Sequence, residues 1–558
     1  MGKRTAAKFL TVFIVIVLIL SQATGAVALN AKDAKLRNDE IKNIIVMIPD
    51  GMSCDGVALS RWYRAYDAKT GKVDTSVMLA MDELASGMVR TFWQDAEGGV
   101  GAITDSAPAA TAYACGIKTF DKFIGVTPDS VPVATILEGA NLIGKATGLV
   151  ATSNIQHATP AGYSAHINDR SRYDVIGEQQ AYNGLDVVLS CGSMYLASRA
   201  DNENILGEIK KMGYNYVTTR EEMSQVSEGA IWGMFARDAM AYEMDRQQGI
   251  TSLRNDDTSE QPSLAEMTDK AIELLSQNEN GFFLMVEGSK IDWAAHANDP
   301  IGLISDILAF DDAVKVALDY AKANQDTMLL IMSDHGNGGI TIGDSSTDSS
   351  YSRDLVPKFL APLMSATLTG EGIASVIDED ATNIAEVMKT YYGIDDLTAE
   401  EIAEIKERFE NDKGGMNYTV GPMISKRAHL GWTTTGHTGE EVTLYTYLPG
   451  DGRITGTLDN TDIALICAGV WGIDLEQVTK QIFVEAIPAF KAKGAEIDVF
   501  TEVPSNGILT VTKGSVTLTI MENKNFVLLN GSKLIINSVI VNQSGNFYVP
   551  QSVINMIP

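Results

Sequence analysis

Uninterrupted apolar runs recur along the chain, and each is followed closely by an acidic or histidine side chain. Four of these runs cover residues 44–48, 147–151, 282–286 and 328–332. Runs without polar alternation are typical of strands covered on both faces, as in a parallel sheet. The polar residues that follow them include Asp50, His157, Glu287 and Asp334. The pattern therefore predicts several buried parallel strands that end near potentially reactive groups.

Helical periodicity lies between these runs, for example over residues 264–275 and 304–320. Alternating strands and helices predict an α/β fold with a doubly wound, mainly parallel sheet flanked by helices. In such sheets, ligands bind beyond the carboxyl ends of the strands. We therefore expect the side chains that follow the runs to share one edge of the sheet.

The N-terminus has the layout of a secretory signal peptide over residues 1–28. Lys3, Arg4 and Lys8 precede an apolar stretch, and Ala-Val-Ala at residues 26–28 is a small-residue cleavage site. A retained membrane anchor is the alternative, but the stretch is shorter than the roughly 20 residues that a spanning helix needs. We expect a secreted or cell-surface protein, with residues 29–40 as a leader linker.

The remaining chain divides into a main domain and a small C-terminal module. Residues 41–487 carry the strand and helix pattern, with additions at about 195–262 and 340–428 that show no recognisable chemistry. Residues 488–558 contain alternating β-type segments with Lys-Gly and Asn-Gly turns, which indicate hairpins. Their Tyr-Val-Pro ending resembles short repeats of bacterial cell-surface proteins, which suggests contact with a cell wall or surface.

The chain is strongly acidic, with a formal charge of −29. Residues 1–28 hold three basic residues and no acidic one, so the mature chain would be near −32. This charge argues against nucleic acid as a routine partner. A phosphorylated ligand would also be repelled unless bound cations reversed the local field. The four scattered cysteines do not resemble a disulfide framework, and Cys54 and Cys115 are expected to be buried.

Three of only six histidines stand in motifs with glycine or acidic neighbours. These motifs are Asp-Trp-Ala-Ala-His at residues 292–296, Ser-Asp-His-Gly at 333–336 and Gly-His-Thr-Gly at 436–439. Asp292 and His296 can project from one face of a helical turn onto one ion. A chance pair on a solvated helix would look the same. Together with Asp334, His335 and His437, they favour a two-metal phosphoryl-transfer site.

Oxygen ligands for a harder cation are also present. Asp50 precedes Gly51 and could bridge two ions, although an Asp-Gly pair after a strand is usually only a turn. Glu287 ends its run five residues before Asp292, and alone it could be a carboxylate at the edge of the core. Thr159 adds a hydroxyl oxygen, which suits magnesium better than zinc.

Ser106 is the candidate nucleophile because it precedes a Pro-Ala-Ala sequence that favours the start of a helix. There, the helix dipole and free amides would favour an alkoxide and a bound phosphate. The alternative is a serine that only caps the helix. No Ser-His-Asp grouping lies nearby, so a zinc ion would have to activate Ser106. Arg170 could bind two phosphate oxygens at once.

With these motifs in place, the chain resembles the alkaline phosphatase family over roughly residues 41–485. That family uses two zinc ions, one magnesium ion and a phosphoserine intermediate. The resemblance makes Ser106 the nucleophile and Arg170 the phosphate-binding arginine. It implies a first zinc site at Asp292, His296 and His437, a second at Asp50, Asp334 and His335, and a magnesium site at Asp50, Thr159 and Glu287. His157 and Trp293 occupy neighbouring positions that are Asp and Lys in some bacterial members.

The resemblance implies a phosphomonoesterase that releases inorganic phosphate and forms a homodimer. Phosphodiesterases and sulfatases of the same superfamily are alternatives, but Ser106-Ala-Pro-Ala-Ala lacks the arginine of the sulfatase motif. A surface-binding protein with an inactive enzyme body is another alternative. We assign His166 and His429 to structural roles.

Overall fold

The computed structural model describes residues 28–30, 40–199, 201–501 and 506–558. Its centre is an eleven-stranded sheet. In chain order, the strands are β1 (Ala28–Asn30), β2 (Asn43–Pro49), β3 (Ala85–Arg90), β4 (Ala146–Asn154), β5 (Val187–Cys191), β6 (Asn215–Val217), β7 (Ile231–Met234), β8 (Phe282–Gly288), β9 (Thr327–Met332), β10 (Val442–Tyr447) and β11 (Arg453–Asp459).

The spatial order of the strands is β1-β11-β3-β10-β9-β2-β8-β4-β5-β7-β6. Only β10 runs antiparallel to its neighbours β9 and β3, and every other pairing in this sheet is parallel. All four apolar runs become strands in this sheet. The predicted doubly wound, mainly parallel α/β fold is confirmed.

Helices cover both faces of the sheet. The longer or functionally important ones are α1 (Cys54–Ala65), α2 (Ser106–Cys115), α3 (Ile136–Leu142), α4 (Ala158–Gly162), α5 (Tyr173–Tyr182), α6 (Leu264–Leu275), α7 (Lys290–His296), α8 (Pro300–Asn324), α9 (Ala399–Asn411), α10 (Asn417–Arg427) and α11 (Asn460–Trp471). Shorter helices are Ser193–Ala197, Ile205–Lys211, Arg220–Gln225, Glu243–Gln248, Val356–Leu360, Gly370–Val376, Ile384–Val387, Leu475–Ile482, Ala486–Ala492 and Gln551–Ile554.

The two faces of the sheet form two separate apolar cores, because successive side chains of a strand point to opposite sides. In β2, Ile45 and Met47 pack on the side of α1, α6 and α8. Ile44, Val46 and Ile48 pack on the side of α2, α3 and α11. All seven residues of β2 are buried, which explains why its sequence shows no polar alternation.

Part of the segment at 195–262, interpreted from sequence as an addition, belongs to the sheet itself. It supplies the edge strand β6 and its neighbour β7, which have three and four residues. Strands this short give no detectable run. The segment at 340–428 is mainly helical, and α9 and α10 contribute to the core beside α8. Among the four cysteines, all free and all within the described ranges, Cys54 is exposed, contrary to the prediction.

The C-terminal residues form two small antiparallel sheets. A meander joins Glu496–Phe500, Ile508–Lys513, Val516–Met521, Phe526–Leu529 and Ser532–Ile535, and a second sheet joins Val484–Glu485, Asn546–Val549 and Val541–Gln543. Because Val484 pairs with Val549, this unit begins slightly before residue 488. It has its own apolar core, which includes Leu509, Leu518 and Phe547. Hereafter, residues 484–558 are called the C-terminal module.

Most of the N-terminal segment that the sequence assigns to a signal peptide and linker lies outside the described residues, apart from β1 and Glu40. Within the part of the chain that the structure describes, no helix has the length and apolar character needed to cross a bilayer.

Candidate active site

Four adjacent strands deliver the candidate residues to one edge of the sheet. The order β9-β2-β8-β4 places the ends of the four apolar runs side by side. Pro49 pairs with Gly288, and Glu287 pairs with both Ile48 and Ala151. Because these strands are parallel, the residues that follow them emerge at the same edge.

The turn after β2 brings α7 close to the end of β9. Gly51 has a φ of +67°, and a Cβ at this position would lie 2.7 Å from Asp292 Oδ1. Glycine is therefore needed both for the conformation and for the close approach. The Gly51 amide donates to Asp334 Oδ1 at 3.1 Å, and the Met52 amide donates to Ser333 Oγ at 2.8 Å.

A first cluster contains Asp50, Asp334 and His335, all fully buried. His335 Nε2 lies 3.5 Å from Asp50 Oδ1 and 3.3 Å from Asp334 Oδ2. The same nitrogen is 3.2 Å from Ser106 Oγ. The serine oxygen therefore lies at the border of a set of side chains that could share one cation.

A second cluster contains Asp292, His296 and His437. His296 Nε2 and His437 Nε2 lie 3.4 Å and 3.6 Å from the Asp292 carboxylate, and 3.1 Å from each other. The two Nδ1 atoms face the carbonyls of Thr435 and Thr104, both at 2.7 Å. Donation by Nδ1 leaves each Nε2 lone pair directed towards the carboxylate, which is the usual arrangement for histidine ligands.

A third cluster contains Asp50, His157 and Glu287. Thr159, the second residue of α4, is fully buried and its hydroxyl lies beside Glu287. His157 stands immediately before α4, and its Nδ1 is buried with no hydrogen-bond partner among the described residues. The imidazole is thus close enough to the two carboxylates to belong to the same site.

Several carboxylate oxygens in these clusters are unpaired within the described structure. Both Asp50 oxygens, Asp334 Oδ2 and Glu287 Oε1 are buried without a hydrogen-bond donor. Buried polar atoms normally have partners, because desolvation without one is costly. Bound cations would supply the missing partners, so the residues present fit a multi-metal site.

Burial and mutual repulsion shift the pKa values of these acids. Burial is the main cause that raises the pKa of Asp50 well above its usual range, and repulsion by Asp334 is the next. Burial raises the pKa of Glu287 to about 8. Burial also acts to raise the pKa of Asp292, but its interactions with His296 and the other histidines outweigh this and lower it. Repulsion between crowded carboxylates is what a divalent cation would relieve.

Asp105, rather than Ser106, caps the N-terminus of α2. Its side chain accepts a hydrogen bond from the Ala107 amide at 3.2 Å, and Ser106 is the first helical residue. The alternative that Ser106 only caps the helix is therefore wrong. Because Asp105 occupies the capping position, the Ser106 hydroxyl is left to face His335.

Arg170 reaches the serine end of the site from a loop. Its Nη1 pairs with Asp105 Oδ1, and its Nη2 lies 3.1 Å from His157 Nε2. Burial acts to raise the pKa of Asp105, but the Arg170 guanidinium, the Ala107 amide and the nearby histidines together outweigh it and lower that pKa. Burial and then Arg170 lower the pKa of His157 to about 3, so its imidazole is neutral. Arg170 retains further N–H groups for a ligand.

Trp293 lies between His157 and a buried lysine. The Trp293 and His157 rings are 5.9 Å apart in an edge-on arrangement. The Lys290 ammonium lies 4.4 Å from the centroid of the Trp293 ring and 4.0 Å from that of Tyr242. Lys290 is 1% exposed. The Lys290 ammonium is therefore a cation in contact with Trp293, and the sequence patterns did not reveal this contact.

The structure thus brings together every predicted site residue, and it adds neighbours that the sequence analysis missed. Asp105 pairs with Arg170, and Asn337 Nδ2 donates to Asp292 Oδ1 at 2.6 Å. An aspartate just before a helix start is a capping signal that could have identified Asp105. No comparable signal marks Asn337.

The two histidines assigned to structure lie elsewhere. His166 is buried, with Nε2 at 3.0 Å from Glu138 Oε1 and Nδ1 at 2.8 Å from the Gly125 carbonyl oxygen. His429 contacts Ser346 Oγ at 2.8 Å. Neither belongs to the three clusters.

A mostly parallel sheet, with metal-binding side chains and a serine at its carboxyl edge, defines a hydrolase of the α/β class that depends on metal ions. The family model for alkaline phosphatase matches residues 41–471. Alkaline phosphatase 4 of Bacillus subtilis (strain 168) is 38% identical over 434 residues, which are 76% of this chain and 88% of that protein. The chain belongs to the alkaline phosphatase family.

Solved structures agree with this assignment. The cold-active alkaline phosphatase from the psychrophile Shewanella sp. is 28% identical, with a TM-score of 0.65 over 77% of this chain and 99% of that one. A mutant alkaline phosphatase from the Antarctic bacterium TAB5, with a histidine replaced by aspartate, has Mg bound in its M3 site. It is 26% identical, with a TM-score of 0.54 over 78% and 99% of the two chains. Our chain is accordingly a metal-binding phosphoric monoester hydrolase.

Proposed function

We propose that this protein is a secreted phosphomonoesterase that works through a phosphoserine at Ser106, with two zinc ions and one magnesium ion. The observation that carries the proposal is the position of Ser106 Oγ, 3.2 Å from His335 Nε2 at the start of α2. This oxygen borders side chains that could hold two cations. A nucleophile in that position can attack a phosphorus atom whose charge the site neutralises.

The reaction has two displacements at phosphorus. Ser106 Oγ forms a bond to phosphorus while the ester P–O bond breaks, and the alcohol leaves with a proton. A water oxygen then bonds to the phosphorus, the bond to Ser106 breaks, and the serine regains a proton as inorganic phosphate is released. When bound, the metal ions would supply the charge that favours ionisation of the serine and the water and that neutralises the leaving oxygen.

Arg170 would bind the phosphoryl oxygens that take no part in bond exchange. Its pairing with Asp105 and its contact with His157 fix the plane of the guanidinium near Ser106. The Arg170 side chain therefore loses little conformational entropy when phosphate binds. The Ser106 amide, at the first position of α2, would add a donor for the same oxygens.

The donor types suggest which ion each cluster holds. Asp292, His296 and His437 combine imidazole with carboxylate and suit zinc. The second zinc would use Asp50, Asp334 and His335. Magnesium prefers oxygen, so Asp50, Glu287 and Thr159 suit it, with neutral His157 beside them.

Export and dimer formation are parts of the same proposal. The basic and apolar pattern of residues 1–28 supports removal of a signal peptide. The family resemblance supports a homodimer. The C-terminal module would contact the cell wall or surface, as its resemblance to surface repeats suggests.

Comparing three substrates tests the reaction class. We expect p-nitrophenyl phosphate to be hydrolysed faster than the corresponding diester and sulfate by several orders of magnitude, because the site must accept an unsubstituted dianionic group. Initial rates with equal concentrations of the three compounds make the measurement. A dominant rate for the diester or the sulfate would assign the protein to another branch of the superfamily. Lack of turnover of any of them by metal-loaded protein would favour a binding role.

The neighbours of the magnesium site should tune product release. We expect the double variant His157→Asp with Trp293→Lys to bind magnesium and inorganic phosphate more tightly and to turn over more slowly at high pH. An aspartate adds negative charge beside Asp50 and Glu287, and a lysine adds a cation for phosphate. Phosphate inhibition and steady-state turnover at alkaline pH measure both effects.

The two single variants are the controls for this prediction. His157→Asp alone should change mainly magnesium affinity, although it also gains an ion pair with Arg170. Trp293→Lys alone places a second ammonium near Lys290, so part of its effect on phosphate should be lost to repulsion. Unchanged phosphate inhibition and turnover in the double variant would show that these positions do not tune the site.

A further inference from the structure

The C-terminal module contacts the start of the loop that carries Arg170 and the helix that follows this loop. We call residues 166–173 the arginine loop, since Arg170 lies in it and α5 begins at its end. Gln543 of the module donates through Nε2 to the His166 carbonyl oxygen at 3.0 Å. Asn523 of the module accepts from Gln179 Nε2 at 3.1 Å. The module is therefore hydrogen-bonded to the loop directly and through α5.

Gln179 links Asn523 of the module to the start of the loop. Its Oε1 accepts from the His166 amide at 2.7 Å, and its Nε2 also lies 3.3 Å from the His166 carbonyl oxygen. Gln179, Asn523 and Gln543 are all at least nine-tenths buried. Hydrogen bonds in such surroundings are shielded from competing water and hold the backbone firmly. The first residue of the arginine loop is thus bonded to Gln179 and to Gln543 of the module, and Asn523 of the module holds Gln179 in turn.

An ion cluster holds α5, the helix that follows the arginine loop. Lys524 of the module pairs with Glu178 of α5, and its ammonium also lies 2.5 Å from Glu203 Oε2. Arg199 Nη2 contacts the second Glu178 oxygen at 2.7 Å. The side chains of Glu178 and Arg199 are 0% and 1% exposed. Because this cluster is buried and charged on both sides, it holds α5 against the module.

Between His166 and α5, the arginine loop is held on the side of the active site mainly by backbone hydrogen bonds. Ile167 and Ile124 are paired in both directions, because the Ile124 amide donates to the Ile167 carbonyl oxygen at 2.8 Å. The Ile167 amide donates to the Ile124 carbonyl at 2.8 Å, and the Arg170 amide donates to the Lys122 carbonyl at 3.0 Å. The side chain of Arg170 then extends to Asp105 and His157. A shift at either end of the loop would move the guanidinium relative to Ser106.

We infer that the C-terminal module holds Arg170 in position for phosphate, with Lys524 and Gln543 as positioning residues. This inference rests on the proposed role of Arg170 in binding phosphate. The module would then contribute to phosphate binding by the enzyme as well as to any contact with the cell surface. The module has its own apolar core around Leu509, Leu518 and Phe547, to which neither Lys524 nor Gln543 belongs.

The test is a double-mutant cycle on phosphate affinity in the full-length, metal-loaded protein. We expect Lys524→Met with Gln543→Ala to weaken equilibrium binding of inorganic phosphate and raise KM about tenfold, the scale of one or two lost hydrogen bonds. The loss in kcat should be smaller. In an Arg170→Ala background, the same two changes should have almost no effect on phosphate affinity, because the residue through which they act is absent. Lys524→Arg should keep most of the affinity.

Matched controls come from the same module. Lys533 lies over the Phe526 ring at 3.9 Å, and Gln551 Nε2 donates to Asn555 Oδ1 at 3.0 Å. Lys533→Met with Gln551→Ala should leave phosphate affinity unchanged. Equal losses in the wild-type and Arg170→Ala backgrounds, or a lower melting temperature with unchanged phosphate affinity, would overturn the inference. If Arg170→Ala alone leaves phosphate binding intact, the proposed role of Arg170 fails first, and the inference fails with it.

Discussion

Replacing Ser106 with alanine should reduce turnover of a phosphate monoester by about 10³-fold or more, as removal of other catalytic nucleophiles does. This loss corresponds to about 4 kcal/mol of transition-state stabilisation. The Ser106 hydroxyl contacts the ring of His335 from the first position of a helix. The variant should also fail to retain labelled phosphate on the protein when the reaction is stopped in acid.

Ser60→Ala is the matched control for this prediction. Ser60 is also a buried helical serine, but its hydroxyl donates to the Gly56 carbonyl at 2.9 Å within α1. Its removal should leave both turnover and phosphate labelling nearly unchanged. Labelled phosphate recovered on a different residue, or an active Ser106→Ala protein, would show that the phosphoserine step is assigned to the wrong side chain.

The apolar runs predicted the edge of the sheet at which the site lies. Asp50, Glu287 and Asp334 each follow or end a buried parallel strand. The residues that follow neighbouring parallel strands lie at the same edge of the sheet. Sequence therefore sufficed to expect these carboxylates close together. It also predicted α6 with the bounds that the structure has, because its hydrophobic period is regular.

The contacts around the carboxylates could not be predicted in this way. The Asp105–Arg170 pair joins residues 65 positions apart, and the burial of Lys290 against the Tyr242 ring depends on how α7 is rotated. Side-chain packing between elements decides both, and no periodic signal records it. Resemblance to a family supplied the roles of Ser106 and Arg170, whereas residue patterns alone left the serine as a possible helix cap.

The same limit explains why the C-terminal module looked independent. Its alternating strands and Asn-Gly turn predict hairpins, which the structure confirms around Asn530. Its attachment depends on single polar side chains, and Lys524 meets Glu178 across 346 positions. A lysine in a turn gives no sign of whether it faces solvent or a buried carboxylate. Only the tertiary structure shows that Lys524 faces a buried carboxylate.

Removing the metals should make the stability of the protein fall as the pH rises. In the metal-free protein, burial raises the pKa of Glu287 from 4.5 to about 8. A carboxyl group whose folded-state pKa is raised contributes stability that is complete below the unfolded pKa. This stability is lost as the pH rises through the folded pKa. We therefore expect the melting temperature in chelator to fall by several degrees between about pH 5 and pH 9. Metal-loaded protein should not show this fall, because cations compensate the carboxylates.

Asp50→Asn separates the charge effect from general damage to the site. Asp50 repels Glu287 and Asp334, and its own pKa is raised by burial and by these neighbours. An amide at this position removes one buried charge, so the metal-free variant should melt higher than metal-free wild type at pH 8. Its metal-loaded form should lose both activity and the stabilisation by metal, because Asp50 belongs to two of the three clusters.

Asp348→Asn, at an exposed aspartate, is the control and should match wild type in both states. A flat melting temperature for metal-free wild type, or no higher melting temperature for metal-free Asp50→Asn at pH 8, would mean that the crowded carboxylates are not what the cations stabilise.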